Sequence, residues 1–205
     1  MSATIDPVSL FSISYGLYVL TAKEGERDCG CIINTASQIT EKPMRISVCV
    51  NKQNLTCEII QKTGLFNVSV LTQSVPFSVF EHFGFQSGRN VDKFAGRADP
   101  QSENGLRYLA NSCNAVLSGK VVDALDYGTH MLFVAELTEA VKLSSEPSLT
   151  YAYYFEHVKP KPQPKPKRGF VCKICGYFYE GDTLPPDFIC PLCKHGAEDF
   201  EPVGF

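Results

Sequence analysis

"VCKICGYFYEGDTLPPDFICPLCKHGAEDF", residues 171–200, carries four cysteines in two C-x-x-C pairs, Cys172 with Cys175 and Cys190 with Cys193. Fourteen residues separate the pairs. That is the spacing of a tetrahedral thiolate metal site. A tail this short cannot bury enough apolar surface to hold itself together, so it needs a staple. The donor set does not choose the metal, because four sulfurs in a tetrahedron suit zinc or iron. Gly176 follows the first pair, where a tight turn calls for a residue tolerant of positive φ. Backbone N–H groups in such a turn can point at sulfur and tune a reduction potential. Tyr177, Tyr179, Phe188 and Phe200 are expected to pack as an aromatic core against the metal.

The segments "CGYFY", "CPLC" and "DFE" resemble rubredoxin across residues 169–205. The resemblance implies a one-iron electron carrier held by Cys172, Cys175, Cys190 and Cys193. There are departures. The loop between the pairs is short, as in the rubredoxin-like domains of rubrerythrins. Phe188 stands where many rubredoxins carry tryptophan, and Lys194 where a glycine usually follows the second pair.

Upstream lies "KPKPQPKPKR", residues 159–168. Its alternating prolines allow neither helix nor ladder. An extended polyproline II spacer is expected, or else a disordered joint. Either one separates residues 1–158 from residues 169–205, and the tail is expected to dock only weakly.

Residues 1–158 read as mostly strand. Short β-rich runs at 15–22, 29–36, 44–50 and 65–71 are bounded by turn residues. Two longer strands flank a hairpin turn at 126–128. One helix is expected from Asn54 to Gly64, and a second from Pro76 or Ser78. Many strands with few helices suggest a closed or partly closed barrel.

Three segments have the chemistry to hold a flat ring with a phosphate tail. Residues 34–38, with Asn34, Thr35, Ala36 and Gln38, come at a strand end and are small enough for backbone N–H groups to approach a ring edge. Residues 51–56, with Asn51, Lys52, Asn54 and Thr56, lead into a helix whose N-terminus favours anions. "SGRNVDK" adds Ser87, Gly88, Arg89 and Lys93. Taken singly, the second segment is also a plain helix start and the third an ordinary surface turn. His130 in "GTH" is on spacing alone more readily structural than functional. There is no Gly-rich dinucleotide fingerprint and no nucleophile motif.

In chain order, "ISYGLYVLTA", "CIINTASQITEKPMRISVCVNKQNLT", "FGFQSGRNVDKF", "YGTHMLFVAEL" and "LTYAYY" resemble the flavin reductase-like FMN-binding split barrels. The resemblance implies that the three segments line FMN and its phosphate, that His130 lies on the nicotinamide side, and that the protein is a homodimer. The expected fold is mainly β: a split β-barrel followed by a small rubredoxin-like metal knuckle. The whole arrangement resembles the high-molecular-weight rubredoxins. It implies NAD(P)H oxidation through FMN and one iron ion, with electrons passed to a flavodiiron partner that reduces oxygen or nitric oxide. Two alternatives stand beside it: a flavin or ferric reductase with an accessory tail, and a non-enzymatic electron carrier.

The bulk numbers agree with a globular protein. The 205 residues carry a formal charge of −3, which gives no general attraction to nucleic acid or to an anionic membrane. The N-terminal stretch lacks a basic region before its apolar residues, so a cytoplasmic location is expected. Cys29, Cys31, Cys49, Cys57 and Cys113 are odd in number and scattered, which points to buried thiols rather than disulfides.

Overall fold

The computed structural model describes residues 5–161 and 168–204. Residues 162–167, most of the expected spacer, lie outside the described residues.

The first part is one antiparallel sheet. Its strands are β1 (Tyr18–Glu24), β2 (Arg27–Ile33), β3 (Ala36–Glu41), β4 (Met44–Asn51), β5 (Leu65–Leu71), β6 (Cys113–Asp126) and β7 (His130–Lys142). They lie in the order β2-β1-β5-β6-β7-β4-β3. The two edge strands, β2 and β3, are consecutive in sequence but not paired, so the curled sheet is a barrel split along that seam. β3 is the strand that hydrophobic patterning does not announce. Its residues, ASQITE, are mostly exposed and polar, and only pairing with β4 holds it in place.

The sheet encloses a core of Leu20, Val48, Val50, Phe66, Val68 and Phe133, all 0% exposed. Helix α1 (Leu55–Thr63) closes one mouth, burying Cys57, Ile59 and Ile60 while Glu58 and Lys62 face water. It stops at Gly64, whose φ of 69° is the left-handed conformation glycine adopts without strain. β1 buries four residues in succession because a second core lies on its other side. That core joins Leu17, Val19 and Leu71 to Phe80 and Phe83 of helix α2 (Phe77–Phe83), with Phe94 and Tyr154. Tyr154 lies where a short helix, Tyr151–Tyr153, widens into a π-helical turn, Tyr154–Val158.

The tail folds as a three-stranded sheet of β8 (Gly169–Cys172), β9 (Phe178–Glu180) and β10 (Phe200–Val203), in the order β10-β8-β9. The chain is thus mainly β, a split barrel followed by a metal-knuckle module. No described helix is long and apolar enough to cross a membrane.

Candidate functional site

The tail builds its site from two matching turns. Cys172 N–H donates to Tyr177 O (2.8 Å), and Gly176 N–H returns to Cys172 O (2.8 Å). In the second turn Cys190 N–H donates to His195 O (2.8 Å), and Lys194 N–H returns to Cys190 O (2.9 Å). Gly176 has φ 80° and Lys194 φ 63°. Lys194 therefore takes the left-handed backbone that glycine would supply, and the second turn matches the first despite the substitution.

The four sulfurs lie within 4.8 Å of one another and all four cysteines are buried. Cys172 Sγ to Cys193 Sγ is 3.5 Å, as is Cys175 Sγ to Cys190 Sγ. A tetrahedral ion with bonds of about 2.3 Å sets its sulfurs roughly 3.8 Å apart, so the cage fits one. Burial pushes the Cys175 thiol up to about 12 and raises Cys193 as well. At Cys190 burial acts in the same direction but is outweighed, mainly by N–H groups of Cys193 and Leu192, and that thiol is lowered. Four buried thiolates coexist only around a cation. Phe188 packs edge-on to Tyr179 and Phe200, with ring centroids 4.7 and 5.4 Å apart, and backs the cage as expected.

The barrel gathers most of the other candidates at one end. In the β4–β7 ladder Asn51 stands opposite His130. Lys52 N–H donates to Thr129 O (3.0 Å), and Lys52 Nζ meets Asp126 at 2.7 Å, so the 51–56 turn is pinned to the β6–β7 hairpin. His130 Nδ1 pairs with Thr129 Oγ1 at 2.9 Å. Asn34 and Thr35 form the bend between β2 and β3, and Thr35 O accepts from Cys49 N–H (3.2 Å). Asn54 is the N-cap of α1, yet its side chain makes no capping bond. Gly88 lies against Leu55 in the first turn of α1, and Arg89 reaches Glu58 at 3.0 Å. Ser87 Oγ accepts from Arg89 N–H (3.2 Å).

Three candidates point elsewhere. Lys93 is 3% exposed, and its ammonium donates to Gly30 O and Phe83 O, both at 2.9 Å. It braces β2 against α2 rather than facing solvent. Burial lowers its pKa. Thr56 is buried, its hydroxyl 3.3 Å from Cys29 Sγ. Gln38 is exposed on β3, within reach of Thr40 O (3.4 Å). Among the remaining thiols Cys29, Cys31, Cys57 and Cys113 are buried and Cys49 partly so, and all five are free. The sequence reading missed Glu58 and Asp126, the carboxylates that hold Arg89 and Lys52. Their only signal was a matching charge, which the fold alone brings close.

Two family models match the chain: the flavin reductase like domain over residues 10–161, and the rubrerythrin, rubredoxin-like domain over residues 170–201. The high molecular weight rubredoxin of Moorella thermoacetica is 39% identical over 97% of this chain and 100% of its own length. The ferric-chelate reductase (NAD(P)H) of Archaeoglobus fulgidus is also 39% identical, over 73% of this chain and 89% of its own. In fold, an NADH:FAD oxidoreductase of Streptomyces globisporus superposes with a TM-score of 0.62 at 20% identity, covering 73% of this chain and 92% of that one.

Proposed function

The chain belongs to the flavin reductase-like family and, with its rubredoxin-like domain, to the high-molecular-weight rubredoxins, and from that premise we propose that it takes electrons from NAD(P)H through FMN to a one-iron centre of four cysteines and passes them to a partner protein. What supports this reading is the presence, in one chain, of a four-sulfur cage and a barrel end that brings the N-terminus of α1 together with Lys52 and Arg89. When bound, a flavin takes two electrons as hydride and an iron ion takes one at a time, so the pair turns a two-electron donor into a supply of single electrons.

The residues divide the work. The N-terminus of α1, with Asn51, Lys52 and Asn54, receives the phosphate. Ser87 and the backbone at Gly88 close over it, and Arg89 exchanges Glu58 for the phosphate. Backbone groups of Asn34, Thr35 and Ala36 line the ring, with Gln38 at the outer rim. His130 borders the nicotinamide side. Thr56 and Lys93 act from behind, holding the walls. The ligands of the iron are Cys172, Cys175, Cys190 and Cys193. Residues 1–158, 159–168 and 169–205 are the flavin domain, spacer and iron domain.

The partner we propose is a flavodiiron oxygen or nitric oxide reductase, in the cytoplasm. A homodimer is supported by an apolar surface with no role in its own core. Ile5, Val8, Leu10, Phe11 and Ile13 are each more than half exposed. A cleft of about 630 Å³ beside them is lined by Phe11, Tyr15, Tyr151 and Phe155.

A second reading is a flavin or ferric reductase with an accessory tail, favoured by the Archaeoglobus reductase, whose match covers 73% of this chain. A carrier reduced only by another protein is a third. The first test is a visible spectrum with metal analysis of the purified protein. One flavin and one iron per chain, with charge-transfer absorption removed by dithionite, is expected. Stoichiometric zinc after growth in iron-replete medium would defeat the relay.

A further inference from the structure

Phe85 belongs to two cores at once. It packs with Phe77, Phe80 and Phe83 in the second core of the barrel, and it packs against the four-cysteine cluster of the knuckle. Its ring lies 5.8 Å from Phe77, Phe77 lies 6.3 Å from Phe80, and Phe80 lies 4.5 Å from Tyr154, so the shelf beneath it is a continuous run of aromatic rings. Between shelf and knuckle is a cleft of about 630 Å³ bounded by Phe77, Pro160, Cys175, Gly176, Tyr177 and Leu192. Cys175 is the one ligand lining that cleft, and at 6% it is the most exposed of the four. Ile174 and Ile189, beside the cage, are left in water at 43% and 56% exposure.

Two residues beyond Phe85 comes Ser87, the start of the turn assigned above to the flavin phosphate. Two residues span at most about 7 Å. We propose that Phe85 is a positioning residue: it seats the knuckle of its own chain, with the Cys175 side toward the barrel and the Ile174–Ile189 side outward. With flavin and iron bound, the Cys175 side would face the electron donor and the Ile174–Ile189 side would stay free for a partner. This rests on the relay reading only for the electron step. The seating itself stands on geometry.

The chain contains no tryptophan, so Phe85→Trp introduces a single reporter. In zinc-loaded full-length protein its emission is expected to be blue-shifted, as for a covered ring, and to move to the red when a chelator removes the metal and the knuckle unfolds. Emission that ignores metal removal overturns the seating, whatever the protein does with NADH. In the iron- and flavin-loaded protein, Phe85→Ala is expected to slow iron reduction tenfold or more. Flavin bleaching by NADH should be unchanged, the barrel should still melt as one cooperative unit at a temperature lowered by the lost ring packing, and Phe85→Tyr should restore both the rate and the melting. An unchanged iron step, or flavin binding lost together with it, overturns the positioning role.

Discussion

Gly88 lies so close to Cys29 that a Cβ at position 88 would stand 2.7 Å from the cysteine Sγ. The Gly88 carbonyl is also held by the Arg27 guanidinium. The turn that brings Ser87 and Arg89 to α1 is therefore pressed onto β2 with no room for a side chain. Gly88→Ala is expected to destabilise the barrel by about 1–3 kcal/mol, the cost of overpacking, and to weaken flavin binding. Adding Cys29→Ala should recover much of both. Denaturant melts and flavin titrations of the two variants check this, and no recovery in the double variant would place the strain elsewhere.

Lys93 gives a second expectation. Replacement by methionine leaves the Gly30 and Phe83 carbonyls without their donor, at about 1–3 kcal/mol for each one orphaned. The loss should appear in melting, with flavin affinity falling only through the barrel. The pH dependence has a definite sign. Burial lowers the native pKa of Lys93 below its usual 10.5, so within that window the unfolded chain binds more protons. Stability of the parent relative to Lys93→Met should therefore rise as pH rises from the native pKa toward 10.5. A difference that falls over that range would contradict a buried, desolvated ammonium.

If Arg89 holds the flavin phosphate as proposed, Arg89→Ala removes a charge-assisted bond worth on the order of 1.5–3 kcal/mol. A ten- to hundred-fold loss of FMN affinity is expected by titration. Glu58→Gln frees Arg89 from its ion pair and should not weaken binding. Equal losses in both variants would assign them to the α1 terminus rather than to the phosphate.

In the knuckle, Lys194 holds a left-handed backbone at a cost of about 1–2 kcal/mol. Lys194→Gly should make the metal harder to remove by chelator. Cys190→Ser should abolish stable metal binding while the barrel transition persists. Loss of both transitions together would mean that the two cores fold as one.

The legible parts were those with a local signal. The paired cysteines fixed the cage by spacing alone. α1 showed its start at Asn54 and its stop at Gly64, and the β6–β7 hairpin showed its turn at 126–128. What was not legible depends on distant partners. β3 is polar and exposed, so nothing in its own residues marks a strand. Lys93 sits in a loop rich in polar residues and reads as a cation free to meet a phosphate. Only the approach of β2 and α2 supplies the two carbonyls that draw it inward. Thr56 likewise reads as a helix-start hydroxyl until Cys29 is brought against it. Phe85 is one phenylalanine among fourteen, and its double contact exists only once the knuckle is folded.

The relay itself is tested most directly by anaerobic stopped-flow mixing of the intact iron- and flavin-loaded protein with NADH, followed at flavin and ferric-thiolate wavelengths. Flavin bleaching first, then iron bleaching at a rate independent of protein concentration, is the predicted result. Flavin bleaching with the iron left oxidised, or no flavin bleaching at all, would contradict it.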